Sequence, residues 1–208
     1  MIQKLSEVEK LHQIKKIGDK SAQKAMVSLT ELLGTDVEMD VTSANLISIY
    51  SIPQIVGNKE MVGLYSNFVG TISGTMLFLL STDSVNELSN IMLADFADEE
   101  TDEMFTDMQK SVVIEIGNIV TSSFVDTWAN TFSIELSHNT PIFGYDFADS
   151  IIDHALIKAA NSGDFVIMFK NKFCVVGMDI NFTILMFPNP DKLQKVFDMF
   201  ELENTIKS

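Results

Sequence analysis

The sequence predicts an α+β fold, a sandwich-like arrangement in which a central, mainly antiparallel sheet carries helices on its outside. Three observations point there. Segments with apolar residues at helical spacing alternate with short β-branched and aromatic runs bounded by Gly, Pro, Asn and Asp. A chain of 208 residues that is 46% hydrophobic can bury a sizeable core. Its two halves also match in the order of their elements, so their strands would most easily merge into one sheet.

Residues 5–33 read as a helix: Leu11, Ile14, Ile17, Ala25, Leu29 and Leu32 recur at helical spacing, and Gly34 offers a stop. TDVEMDVTSANLISIYSI alternates and is rich in β-branched residues, which suits one or two strands. Pro53 to Lys59 reads as a connection. VGLYSNFVGTISGTMLFLLS carries two strands, with Gly70 and Gly74 near the turn between them. Ser81, Thr82 and Asp83 are N-cap candidates for a helix through Val85, Leu88, Ile91 and Met92. The acid-rich segment from Asp95 to Asp107 has no Lys or Arg; it suits a solvated connection and the N-terminus of the next helix, or a surface for a basic partner. An amphipathic helix follows from Ser111, then strands around SIELSH and PIFGY and a short helix near Ser150 to Ala155. DFVIMFKNKFCVVGMDINFTILMFP reads as two or three strands, and a helix from Asp191 to Leu202 closes the chain.

The duplication is visible by sliding the chain along itself. A shift of 99 residues lays Lys16-Ile17-Gly18-Asp19 over Glu115-Ile116-Gly117-Asn118, and Thr42 over Pro141. A shift of about 107 lays the strand-cap-helix run beginning MLFLLSTDS over the one ending in FDMF. We therefore expect one pseudo-twofold domain spanning 1–208, built from repeats at about 5–94 and 104–202.

The formal net charge of −15 argues against nucleic acid and anionic membrane surfaces as ligands, because both require clustered Lys and Arg. The single Cys174 lies in an apolar run and is expected to be a reduced, buried packing residue of a cytoplasmic protein. The N-terminus has no apolar signal core, and no run is long enough to cross a bilayer as a helix. His12, His138 and His154 are scattered without ligand spacing, so no metal site is expected.

The candidate site lies in SVVIEIGNIVTSSFVDTWANTFSIELSHNTP, Ser111 to Pro141. At about 100° per residue, Ser111, Glu115, Asn118 and Ser122 share one face of a helix, while Val113, Ile116, Val120 and Phe124 point toward a core. The stretch has no nucleophile beside a base, no metal-ligand cluster and no phosphate loop. A carboxamide can orient a water by donating with its NH₂ and accepting with its carbonyl oxygen, and a carboxylate can pair with a Lys or Arg of another molecule. Together they suit chemistry whose phosphoryl group, metal and leaving group belong to a partner. Spacing alone leaves open that Glu115 and Asn118 are ordinary exposed helix residues.

The pattern Ser111-x3-Glu115-x2-Asn118, with Pro141 after 22 intervening residues, resembles the signature of the CheC, CheX and FliY phosphatases. The length and the duplication resemble CheC more than the shorter CheX. The resemblance implies hydrolysis, in trans, of the aspartyl phosphate of a CheY-like chemotaxis response regulator. It implies that Glu115 pairs with the regulator's active-site lysine, that Asn118 orients the attacking water, that Ser111 sits at the docking edge, and that Pro141 shapes the backbone near the helix. It also implies no cofactor of the chain's own, with Mg²⁺ bound by the regulator's carboxylates. An adaptor role toward the receptor deamidase CheD, with weak or vestigial catalysis, is the competing reading; a part of the flagellar switch is a third.

The first half departs from the pattern. It has His12, Lys16, Asp19 and Thr42 where the second has Ser111, Glu115, Asn118 and Pro141. Lys16 would repel a lysine, and Asp19 would bring negative charge toward a phosphoryl group. The first face is expected to be inactive.

Overall fold

The computed structural model describes residues 6–93, 103–158, 165–175 and 177–189, together with Lys195 and Asp198. The expected C-terminal helix and most of the acid-rich segment lie outside the described residues.

Helix α1 (Glu7–Leu33) starts at a capping box: the Ser6 hydroxyl accepts from the Glu9 amide while the Glu9 carboxylate accepts from the Ser6 amide. It stops at Gly34, whose φ of 64° is the left-handed conformation that glycine adopts without a Cβ penalty. Strand β1 (Val37–Ser48) is one strand, followed by a 3-10 turn at Ile49–Ser51. The stretch read as a connection from Pro53 begins instead as a short helix, α2 (Ile52–Val56). Pro53 sits in its first turn, where the missing N–H costs no helical hydrogen bond. Strands β2 (Glu60–Gly70) and β3 (Gly74–Ser81) form the expected hairpin, and Ser81 caps α3 (Thr82–Met92) by accepting from the Ser84 amide. The second half supplies α4 (Asp107–Phe132), β4 (Leu136–His138), β5 (Ile142–Phe147), α5 (Ala148–Lys158), β6 (Phe165–Val175) and β7 (Met178–Pro188).

All seven strands among the described residues join one antiparallel sheet in the order β1-β6-β7-β3-β2-β4, with β5 also paired to β2. The order has a twofold pattern about the β7–β3 pair. β1 corresponds to β4 and β5, β2 to β6, and β3 to β7. The first strand of each half therefore pairs with the second strand of the other. Helices α1, α3 and α4 pack on one face over the larger apolar cluster, and α2 and α5 cover a smaller one on the other. The fold is thus α+β with a pseudo-twofold sheet and helices outside, as the pattern of elements predicts.

Cys174 departs from expectation. It is half-buried on β6, where burial and then a hydrogen bond with Asp179 push its thiol above the usual range. On β6 alternate side chains face opposite sides of the sheet. Cys174 falls on the side of Lys170 and Lys172, beyond the cluster formed with α2 and α5. No described helix is long and apolar enough to cross a membrane.

Two glycines seat the twofold-related helices α1 and α4 on the sheet. A Cβ on Gly117 would lie 2.2 Å from Leu64 Cδ1 of β2, and one on Gly18 would lie 2.9 Å from Phe169 Cε1 of β6. Leu64 and Phe169 are both buried, so neither can swing into solvent to make room. Gly117→Ala is expected to lower stability by about 1–3 kcal/mol, because overpacking here outweighs a gain in helix propensity of about 1 kcal/mol. Chemical denaturation monitored by circular dichroism checks this, and an unchanged or raised midpoint contradicts it.

Candidate functional site

Helix α4 is the element on which the predicted site residues stand, and its start is well defined. Thr106 caps it by accepting from the Gln109 amide at 3.1 Å, while Gln109 Oε1 accepts from the Thr106 amide at 2.9 Å. Lys110 in the first turn bonds to Glu103 and Asp107; chiefly the Glu103 bond, opposed by burial and helped to a lesser degree by Asp107, holds its ammonium above the usual lysine range.

The helix is enclosed on most of its circumference. Val112, Val113, Ile116, Gly117, Val120, Phe124, Val125 and Trp128 are buried, so the expected core face is met and broadened. Contacts with α1, α3, β2 and β4 account for this. Between Ser111 and Trp128 only Ser111 and Glu115 are exposed; Asn118 and Ser122 are half-buried beside them. The open part of α4 is therefore a narrow window, and the sequence-predicted residues occupy it.

Inside that window the polar groups divide into committed and uncommitted. Ser111 Oγ donates to the Asp107 carbonyl at 2.8 Å, and Ser122 Oγ donates to the Asn118 carbonyl at 2.7 Å. Both are hydroxyls bonding one turn back along the helix. Among the described residues Glu115 has no ion-pair partner, and the Asn118 carboxamide makes no hydrogen bond. A carboxylate and an amide one turn apart are thus left available on a rigid support.

Pro141 is buried, at the break between β4 and β5. His138 pairs with Phe68 of β2, and Ile142 pairs with Tyr65. Residues 139–141 therefore oppose only Ser66 and Asn67, a β-bulge with one extra residue. Asn139 bridges it: its amide donates to the Asn67 carbonyl at 3.2 Å, its Oδ1 accepts from the Asn67 amide at 2.6 Å, and its carbonyl accepts from Ser66 Oγ at 2.8 Å. His138 stands against Ser122, with Nε2 2.9 Å from Oγ. Sequence reasoning left His138 among scattered histidines and did not single out Asn139. The signal for Asn139 was local, since Asn shortly before Pro is turn chemistry.

The first half builds the same framework with different groups. Thr42, at the position matching Pro141, is the extra residue of a bulge in β1, where Val41 pairs with Asn171 and Ser43 with Lys170. Its Oγ1 donates to the Lys170 carbonyl at 3.0 Å. Thr42 also borders a cleft of about 500 Å³ with Lys170, Asn181 and Thr183, which Glu115 and Asn118 do not line. His12 and Lys16 are exposed. Asp19, the counterpart of Asn118, is ion-paired with Lys15 at 2.8 Å. This face presents an uncommitted cation where the second presents an uncommitted acid. Among the described residues no group of three or more His, Cys, Asp and Glu side chains is placed to hold a metal ion.

Comparison with known proteins returns CheC-type proteins and proteins of the same fold. Residues 108–145, which contain the whole motif, match the model of the CheC-like family. The chain is 24% identical over 151 residues to a putative CheY-P phosphatase CheC1 of Halobacterium salinarum, covering 71% of this chain and 76% of the relative. It is 20% identical over 195 residues to the CheY-P phosphatase CheC of Bacillus subtilis, covering 91% and 92%. Its fold is that of Thermotoga maritima FliY, with a TM-score of 0.76 at 17% identity over 96% of this chain and 98% of that one. The resemblance to CheC-type proteins read from the motif is borne out.

Because α4 carries the window, its cap is a stability lever that leaves the window chemically intact. Thr106→Ala is expected to cost about 1 kcal/mol. The denaturation midpoint reads this directly, and a loss below about 0.3 kcal/mol would show that the cap hydrogen bond contributes little to the helix.

Proposed function

We propose that this chain is a phosphatase acting in trans on the aspartyl phosphate of a CheY-like response regulator, through the α4 face alone. The observation that carries this reading is the uncommitted pair: an exposed, unpaired Glu115 carboxylate one turn from the free carboxamide of Asn118. Relatives named as CheY-P phosphatases support it.

The division of labour follows from what each group can do. Glu115 docks by pairing with a cation on the regulator, an interaction that fixes register as well as adding attraction. Asn118 enters the phosphorylated pocket and holds a water in line with the phosphorus. Attack by that water forms a new P–O bond and breaks the bond to the aspartyl oxygen, releasing inorganic phosphate and a free carboxylate. A loose transition state asks little covalent chemistry of the protein, so placement of the water supplies much of the catalysis. In this reading Mg²⁺ belongs to the regulator's site and the chain brings no cofactor. Ser111 lies at the docking edge, one turn before Glu115. The first face takes no part: Lys16 repels the cation that Glu115 attracts, and Asp19 is an acid where an amide is needed.

The decay of a phosphorylated receiver domain, followed with and without this protein, tests the assignment. Asn118→Ala should lower kcat by about 100-fold, the scale of losing a positioned reactant, while Glu115→Ala should act mainly on KM. The two together should abolish acceleration. Lys16→Ala with Asp19→Ala should stay within about twofold of the unmodified protein, the scatter of a surface change with no catalytic role. Full acceleration by the Glu115/Asn118 double variant refutes the site.

A further inference from the structure

The α4 window contains a connection that the pair of Glu115 and Asn118 does not explain. His138 of β4 places Nδ1 3.0 Å from the Asn139 carbonyl and Nε2 2.9 Å from Ser122 Oγ. A carbonyl oxygen only accepts, so Nδ1 carries the proton of the first contact. The Ser122 hydroxyl stands between the imidazole Nε2 and the main-chain carbonyl of Asn118, 2.7 Å away; it has one proton, so it donates to one of the two at a time unless Nε2 itself carries a proton and donates to Oγ. The other end of this line is equally fixed. The Asn139 carbonyl also accepts from Ser66, and Asn139 is tied to Asn67 across the bulge that ends at buried Pro141.

We propose that His138 is a positioning residue that locks the Asn118–Ser122 turn of α4 to the Pro141 bulge, fixing the main chain from which the Asn118 carboxamide projects. This rests on the reading of Asn118 as the water-orienting group. It also gives Pro141 a route to the site: the proline holds the bulge, the bulge turns the Asn139 carbonyl, and that carbonyl orients the imidazole. The duplication supplies an internal control. At the shift that aligns the two faces, His138 corresponds to Met39, Ser122 to Gln23 and Asn139 to Asp40. Met39 is a buried apolar side chain with no polar group to offer, so the half without the motif also lacks the brace.

The test combines kinetics with a measurement that does not need turnover. With a phosphorylated receiver domain as substrate, His138→Ala should lower kcat about tenfold with KM within about twofold, short of the 10²-fold that larger misplacement can cost. Ser122→Ala should do the same, and the double variant should equal either single one, because both act through one connection. His138→Gln, whose terminal amide reaches about as far as Nε2, should recover most of the rate, while the shorter His138→Asn should not. Independently, the side-chain NH₂ resonances of Asn118, assigned by their loss in Asn118→Ala, should move in His138→Ala and return in His138→Gln. Wild-type kcat in His138→Ala, additive losses in the double variant, or unmoved Asn118 resonances in a folded His138→Ala protein each overturn the proposal. If the unmodified protein accelerates no decay, the phosphatase reading falls, and the resonance measurement still decides whether His138 sets the Asn118 side chain.

Discussion

The constraint on which the candidate site depends is the close approach of α4 to β2 at Gly117. A single methyl group there would sit 2.2 Å from Leu64 Cδ1, so at this point the helix backbone lies directly on the Leu64 side chain, with no side chain of its own between them. Glu115 and Asn118 flank that point, two residues before it and one after. Rotating them relative to the sheet would require α4 to lift, which Val113, Ile116, Val120 and Phe124 oppose by burial. A site whose contribution is placement needs this kind of support, since misplacement by about 1 Å can forfeit much of what positioning supplies.

The sheet explains why both halves are needed even if only one works. β1 of the first half finds its ladder on β6 of the second, while β4 and β5 of the second find theirs on β2 of the first. Neither half could satisfy its first strand's backbone groups alone, and unpaired buried N–H and C=O groups are costly. The seat of α1 on Phe169 and the seat of α4 on Leu64 each join a helix of one half to a strand whose neighbours include the other.

How much of this was legible in the sequence depends on the range of the interaction. Helical spacing placed the exposed and buried faces of α4, because periodicity is a local property. The match at 99 residues disclosed the duplication and put Thr42 opposite Pro141. The exchange of first strands was not legible, since pairing partners follow from three-dimensional packing and leave no mark on either strand's own pattern. Nor was the contact between His138 and Ser122. Sixteen residues separate them, and only the turn at Ser133, in the left-handed conformation with φ 52°, folds β4 back along α4. Pro53 was legible in principle, because a proline also favours the first turn of a helix; in the sequence it reads as the start of a connection, and in the structure it stands in the first turn of α2. Cys174 was misjudged for a similar reason. Its neighbours are apolar, but alternation along β6 sends it to the side its neighbours avoid.

The inner and outer sides of the two twofold-related helices answer to different requirements. Inside, Ile17-Gly18 and Ile116-Gly117 are the same pair of residues in the same place, because the sheet dictates what fits beneath them. Outside, Lys16 stands for Glu115 and Asp19 for Asn118, with an inversion of charge at the first position. The Lys15–Asp19 pair is a half-exposed surface contact of the kind worth little to stability, so the fold tolerates it without depending on it. The same indifference holds for Glu115: nothing within the described chain pairs with it, and its carboxylate contributes to the net charge of −15. In the proposed reading this carboxylate meets a cation on the partner, and whatever accompanies that cation meets Asn118.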